Sequence, residues 1–189
     1  ENEVEKGIFY GYPSDAEIAA SRAWQRKKFD AGWAGISWPK EYGGAGRPLK
    51  DEIIWNQEQA KFQTPLDLQF IAMSQVGHAL IDYASPEQKE KLLRPILDGS
   101  ALWCQLFSEP GAGSDLGGLS CAARRDGDGW LISGEKIWIS DGAYADFGLL
   151  LARTGTPESR HKGIGCFVVD MRTPGVRSTA VPHSSGRSH

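Results

Sequence analysis

Apolar residues recur at helical spacing in the first half of the chain. Leu68, Ile71, Ala72, Val76, Ala79, Leu80 and Tyr83 follow a rhythm of three to four residues, the mark of an amphipathic helix with a core-facing stripe. Upstream, Ile53, Ile54 and the segment 57–60 alternate faces in the same way. Ser85-Pro86-Glu87-Gln88 reads as a helix start, with Ser85 as N-cap, Pro86 at the first helical position and Gln88 placed to complete a capping box. That helix is expected to run to about Asp98 and to end at Gly99. Beyond Gly99 the pattern changes to short aliphatic and aromatic runs separated by turn residues. Residues 102–107, 120–125, 130–133, 135–139, 147–153 and 165–170 are candidate strands, and Asp126-Gly127-Asp128-Gly129 is a hairpin connection. Trp130/Ile132 and Ile137/Ile139 keep a period of two on one face. Segment 154–162 reads as an exposed loop.

This order predicts an α+β protein: an all-α helical domain over 1–99, then an antiparallel, barrel-like β-domain over 100–189, incomplete at its end. The helical half need not fold as a separate unit. At 40% hydrophobic and 24% charged residues, with a mean hydropathy of -0.39 and a net charge of -3, the chain has the balance of a soluble globular protein. Its basic residues are dispersed among acids, which argues against nucleic acid as a partner. The short runs Arg26-Lys27-Lys28 and Arg124-Arg125 read as solvated faces. No apolar run approaches the roughly 18 residues of a membrane span, and the first 30 residues lack a signal-peptide core, so a cytoplasmic location is the default. Cys104, Cys121 and Cys166 are widely separated and read as small core residues, without the paired spacing of a disulfide frame or metal site. His78, His161, His183 and His189 match no zinc-binding helix pattern, and His78 reads as a packed or capped histidine. No metal is expected.

The chemistry concentrates in two segments. In Phe107-Ser108-Glu109-Pro110-Gly111-Ala112-Gly113-Ser114-Asp115, Pro110 fixes one dihedral while Gly111 and Gly113 free the backbone, so bare N–H groups can approach a planar ligand. Ser108, Ser114 and, farther on, Ser140 add hydroxyls that donate or accept. The first of these segments and Gly134-Glu135-Lys136-Ile137-Trp138-Ile139-Ser140, in that order and spacing, are similar to the signature of the acyl-CoA dehydrogenase family. Gly32-Trp33-Ala34-Gly35-Ile36-Ser37-Trp38-Pro39-Lys40-Glu41-Tyr42-Gly43-Gly44 also resembles that family's N-terminal element, so nearly the whole chain is covered.

The resemblance implies an N-terminal helical domain, a middle β-barrel domain and a C-terminal four-helix domain. It implies that the chain is about half of a family member, stopping within the middle domain, and inactive alone. The implied reaction is oxidation of an acyl-CoA thioester to the trans-2-enoyl-CoA, as in fatty-acid β-oxidation, with FAD taking a hydride from the β-carbon while a carboxylate removes the α-proton. Hydrogen bonds to the thioester carbonyl must stabilise the developing enolate-like charge. Gln105, Phe107, Ser108, Gly113 and Ser114 match the first flavin-contacting segment, with Ser114 also matching an acyl-CoA contact. Trp138, Ile139 and Ser140 match the second, where Ser108 and Ser140 stand in place of the commoner threonines. For Trp138 alone, core packing is the competing structural reading. Glu109 and Asp115 are not read as an acid–base pair. Glu109 is expected to hold the loop through backbone N–H groups, and Asp115 to cap the turn or pair with a base. The resemblance puts the catalytic glutamate beyond His189, or in an earlier helix in some subfamilies, so no catalytic residue is assigned.

The implied partners are an acyl-CoA, electron-transfer flavoprotein as acceptor, and further subunits in a homo- or hetero-oligomer, dimeric or tetrameric. Three alternatives stay open: an acyl-CoA oxidase or flavin monooxygenase on the same scaffold, a non-catalytic partner subunit of a hetero-oligomeric enzyme, and an interaction module whose Gly-rich turn is architectural.

Overall fold

The computed structural model describes residues 13–179 and 181; His183 and His189 lie outside the described residues. Helix α1 (Asp15–Asp30) starts at a capping box in which Ser14 and Glu17 exchange side-chain and backbone hydrogen bonds, a local start signal of the same kind as that of Ser85. Helix α2 (Leu49–Gln59) follows. A five-residue π turn, Ala72–Val76, then leads directly into α3 (Gly77–Tyr83), and α4 (Pro86–Leu97) completes the helical half. As expected, α4 opens on the Ser85/Gln88 capping box; Asp98 caps it, and Gly99 turns the chain away at φ 77°.

The periodic stripe is core on one side only. Leu68, Ala72, Val76 and Leu80 are buried, whereas Tyr83 at its end is 88% exposed. The stripe reading fails for α2, which buries none of its residues and leaves Leu49, Ile53 and Ile54 exposed. A helical period marks an apolar face but does not say what covers it.

Trp38, 1% exposed, anchors the Gly-rich N-terminal element. A side chain at Gly77 would come within 2.0 Å of its ring, and one at Gly44 within 2.3 Å of its carbonyl oxygen. At Gly77 the helix that follows the π turn closes on the indole, and at Gly44 the 32–44 loop closes on the Trp38 backbone.

The sheet half contains β1 (Trp103–Leu106), β2 (Ala122–Asp126), β3 (Gly129–Ser133), β4 (Phe147–Arg153) and β5 (Ile164–Asp170). Strands β2 and β3 form the predicted hairpin, turning through Gly127 at φ 57°. Strand β4 is the hub. It pairs in parallel with β1 over Trp103–Leu106 and with β2 at Ala122↔Arg153, and antiparallel with β5 along its whole length. The sheet is therefore mixed rather than purely antiparallel, and it does not close among the described residues. The long excursion between β1 and β4 gives the chain room to return in the same direction, which a tight hairpin forbids.

The expected strand over 135–139 does not form. Trp138 adopts a left-handed φ of 59°, which breaks the alternation of faces. Segment 154–162 is exposed along most of its length, as expected, and within it the chain makes short 3₁₀ turns over 157–163 that are interrupted at Arg160, where φ is 45°. Cys104 and Cys121 are buried as expected, but Cys166 is exposed on β5. His78 is exposed as well, with its ring against the edge of Trp38. One core joins the two halves: Leu93, Ile96 and Leu97 of α4 pack in the same cluster as Trp103 of β1 and Leu149 of β4.

Candidate active site

Residues 109–112 close a tight turn in which the amide of Glu109 donates to the Ala112 carbonyl at 2.7 Å, and the amide of Ala112 donates back at 3.1 Å. The tip glycines Gly111 and Gly113 have open space where a side chain would stand. The Glu109 carboxylate points inward, with its side chain 3% exposed, and accepts from the Ser120 amide at 2.7 Å, the Ser120 hydroxyl at 2.8 Å and the Cys121 amide at 3.0 Å. The expected loop-holding role is therefore observed. Lys136, also buried, donates to Glu109 at 2.8 Å and to the Phe107 carbonyl at 3.0 Å. Burial alone would raise the Glu109 pKa, but the Lys136 ammonium and the Ser120 and Cys121 donors bring it down to about 2. Asp115 pairs with Arg160 at 2.9 Å, as its reading as a partner for a base anticipated.

The two motif segments meet. The Ile137 amide donates to the Ser108 carbonyl at 3.0 Å, so the chain after Lys136 runs beside the end of β1. There Gln105, Phe107, Ser108, Trp138, Ile139 and Ser140 line one cleft of about 110 Å³ together with Ile71 from the helical half. A larger cavity of about 580 Å³ shares Ile71, Gln105 and Ser140 and adds Asp67, Phe70, Gln75 and Asp141. Gln105 is hydrogen-bonded to Gln75 on the π turn, an irregular helical geometry that recurs at functional sites.

Trp138 is 72% exposed, so core packing does not explain it. It and Asp141 at φ 67° place two non-glycine residues in the left-handed region on either side of Ile139-Ser140. Asp tolerates that conformation, but a tryptophan held there is strained. Burial raises the pKa of Asp141, opposed by a hydrogen bond from the Tyr144 hydroxyl. Gly113 and Ser114 are exposed on the turn and line neither cavity.

The sequence reading placed Ile71 in the apolar stripe rather than at the site, did not single out Gln75 or Asp141, and gave Lys136 no role. Among the described residues no cluster of His, Cys, Asp and Glu could hold a metal ion.

The family model for the acyl-CoA dehydrogenase N-terminal domain matches residues 12–100, and that for the middle domain matches 104–189. This chain belongs to the acyl-CoA dehydrogenase family. It is 34% identical over 165 residues to the acyl-CoA dehydrogenase IpdE1 of Mycobacterium tuberculosis, a match covering 87% of this chain and 43% of that protein. Among solved structures it resembles the Tcur3481–Tcur3483 steroid ACAD, with a TM-score of 0.80, 32% identity, and coverage of 94% of this chain and 48% of the other. It also resembles the ChsE4–ChsE5 complex of Mycobacterium tuberculosis, with a TM-score of 0.78, 32% identity, and coverage of 93% and 46%. The chain spans less than half the length of these acyl-CoA dehydrogenase relatives.

Proposed function

We propose that this chain carries the flavin-facing wall of an enzyme that oxidises an acyl-CoA thioester to its trans-2-enoyl-CoA. The observation that supports it best is the single cleft shared by Ser108 and Ser140 with Gln105, Phe107, Trp138 and Ile139. Its donors suit a planar heteroaromatic ring. The amides of Trp138, Ile139 and Ser140 and the hydroxyls of Ser108 and Ser140 have no hydrogen-bond partner among the described residues. Ile71, Phe107, Trp138 and Ile139 supply apolar walls around them.

FAD held there would accept the hydride leaving the β-carbon of the thioester. The residues of this chain do the holding. Ser108 and Ser140 would donate hydrogen bonds to the flavin, the free amides of 138–140 would add further donors, and the exposed indole of Trp138 would supply apolar contact. Gln105 is positioned through Gln75, and Ile71 and Phe107 keep water from the ring. Ser114, with Gly113 beside it on the exposed turn, reaches the acyl-CoA from outside the cleft. The α-proton is removed by a carboxylate that we place outside this chain, and electron-transfer flavoprotein is the proposed acceptor.

A second reading is favoured by the solved relatives, which include the ChsE4–ChsE5 complex. In it, the whole protein is one of two differing subunits that share a flavin site.

The test is to purify the full-length protein, record its flavin absorbance, and follow enoyl-CoA formation with an artificial electron acceptor. Stoichiometric flavin and enoyl product support the first reading. Flavin and turnover appearing only with a co-purifying second subunit support the second. No flavin in either form would overturn both.

A further inference from the structure

Glu109 and Lys136 lie 27 residues apart, each at the edge of one of the two segments that line the cleft. Glu109 follows Ser108, and Lys136 precedes Ile137, whose amide binds the Ser108 carbonyl. Their side chains are 3% and 8% exposed and meet at 2.8 Å. Neither faces the cleft. Each ion also gains from neutral groups: the carboxylate takes three further hydrogen bonds from Ser120 and Cys121, and the ammonium donates to the Phe107 carbonyl. The lysine is thus bonded to the residues on both sides of Ser108. Through its own backbone it also begins the strained stretch that carries Trp138 and Ser140.

A buried ion pair is costly to assemble and gives little net stability relative to an apolar pair, but it has one geometry. Segment 134–139 has no strand ladder to fix its course. Among the described residues, the Ile137 amide is the one backbone N–H of this stretch that donates a backbone hydrogen bond, to the Ser108 carbonyl.

We infer that the Glu109–Lys136 pair is a positioning clamp that sets the separation of the Ser108 and Ser140 hydroxyls and so fixes the width of the cleft. The inference rests on the flavin-site reading for its consequence, not for the clamp itself. Lys136 and Glu109 are positioning residues that touch neither ring nor substrate.

The test uses the full-length protein, with Lys136→Met, Glu109→Gln, the double variant, and Lys136→Arg as the conservative control. Circular dichroism first establishes which variants fold. The double variant removes both charges together and serves where a single one fails, because it leaves no ion buried alone. Hydrogen exchange is then read at the amides of 137–140, and FAD affinity by titration of the apo-protein.

Folded Lys136→Met or the double variant is expected to exchange the Ile137 amide at least about tenfold faster than wild type and to bind FAD at least about tenfold more weakly, with Lys136→Arg recovering part of both. Unchanged exchange at Ile137 in a folded variant would overturn the clamp. Faster exchange with undiminished FAD affinity would overturn its control of the cleft. If wild-type protein takes up no FAD, the flavin-site reading falls, while the exchange measurement still decides whether the clamp exists.

Discussion

At the scale of single residues, one side chain in the cleft and one behind it break ordinary rules. Trp138 is a large apolar residue left exposed in a left-handed conformation, and Glu109 is an acid withdrawn from water. For Trp138, glycine relieves the backbone strain at some cost in unfolded-state entropy, and little packing is lost. Trp138→Gly is therefore expected to change unfolding free energy by less than about 1 kcal/mol, while reducing FAD uptake. Thermal melts and flavin-to-protein ratios check the two halves of that statement.

For Glu109, the folded pKa of about 2 lies below the ordinary value of 4.5, so the unfolded chain takes up its proton first as pH falls. The carboxylate's contribution is complete above the ordinary value and is lost as pH drops through the folded one. Wild type is expected to exceed Glu109→Gln in stability by about 3 kcal/mol at neutral pH. That gap should stay constant down to about pH 5 and narrow between about pH 4.5 and 2. Urea unfolding of both proteins across that range measures it.

At the scale of elements, two packing arrangements hold the site's supports in place. The π turn, which follows Ile71 of the cleft and carries Gln75 of the larger cavity, rests on Trp38, and Gly77 is bare because the indole occupies the space of its side chain. Gly77→Ala gains helix propensity but forces a contact of 2.0 Å on a fully packed ring. A net loss of about 1–3 kcal/mol in chemical denaturation is expected.

On the sheet side, Arg153 at the end of β4 is buried and donates to the carbonyls of Gly117 at 2.7 Å, Leu119 at 3.1 Å and Arg160 at 2.6 Å. It joins the turn after Ser114 to the 157–163 turn. Arg153→Met keeps the volume and leaves those carbonyls without their donor, which is expected to cost about 2 kcal/mol. It should also raise proteolytic cleavage within 115–120, read by mass spectrometry.

Local signals explain why so much of the element plan was legible. The Ser85/Gln88 box, the Asp-Gly hairpin and the β4 run each act within a few residues. The 135–139 segment was not legible, because its course depends on a carboxylate 27 residues earlier in the chain that draws Lys136 inward. The exposed face of α2 was missed for a related reason, since periodicity carries no information about the neighbour.

At the scale of the molecule, the helical and sheet halves share one apolar core and a polar tie. Arg22 of α1 reaches Asp146 at 2.7 Å and the Ser100 carbonyl at 2.7 Å, and Asp146 also accepts from the Leu102 amide. With Leu93, Ile96 and Leu97 packed in one cluster with Trp103 and Leu149, neither half can lose its side of the core alone. Unfolding followed by helical circular dichroism and by tryptophan fluorescence is expected to give coincident transitions. Two separated transitions would show independent halves.

The sequence by itself determined the family, the order of helices before strands, and the chemical character of the cleft-lining residues, because motifs, caps and turns are set by neighbours along the chain. Only the tertiary structure decided that Ser108 and Ser140 face one cleft while Ser114 stays outside it, that β1 runs parallel to β4, and that Lys136 is buried against Glu109. Each of these depends on contacts between residues far apart in sequence. Their strength comes from exclusion of water, and that exists only once the two halves have packed.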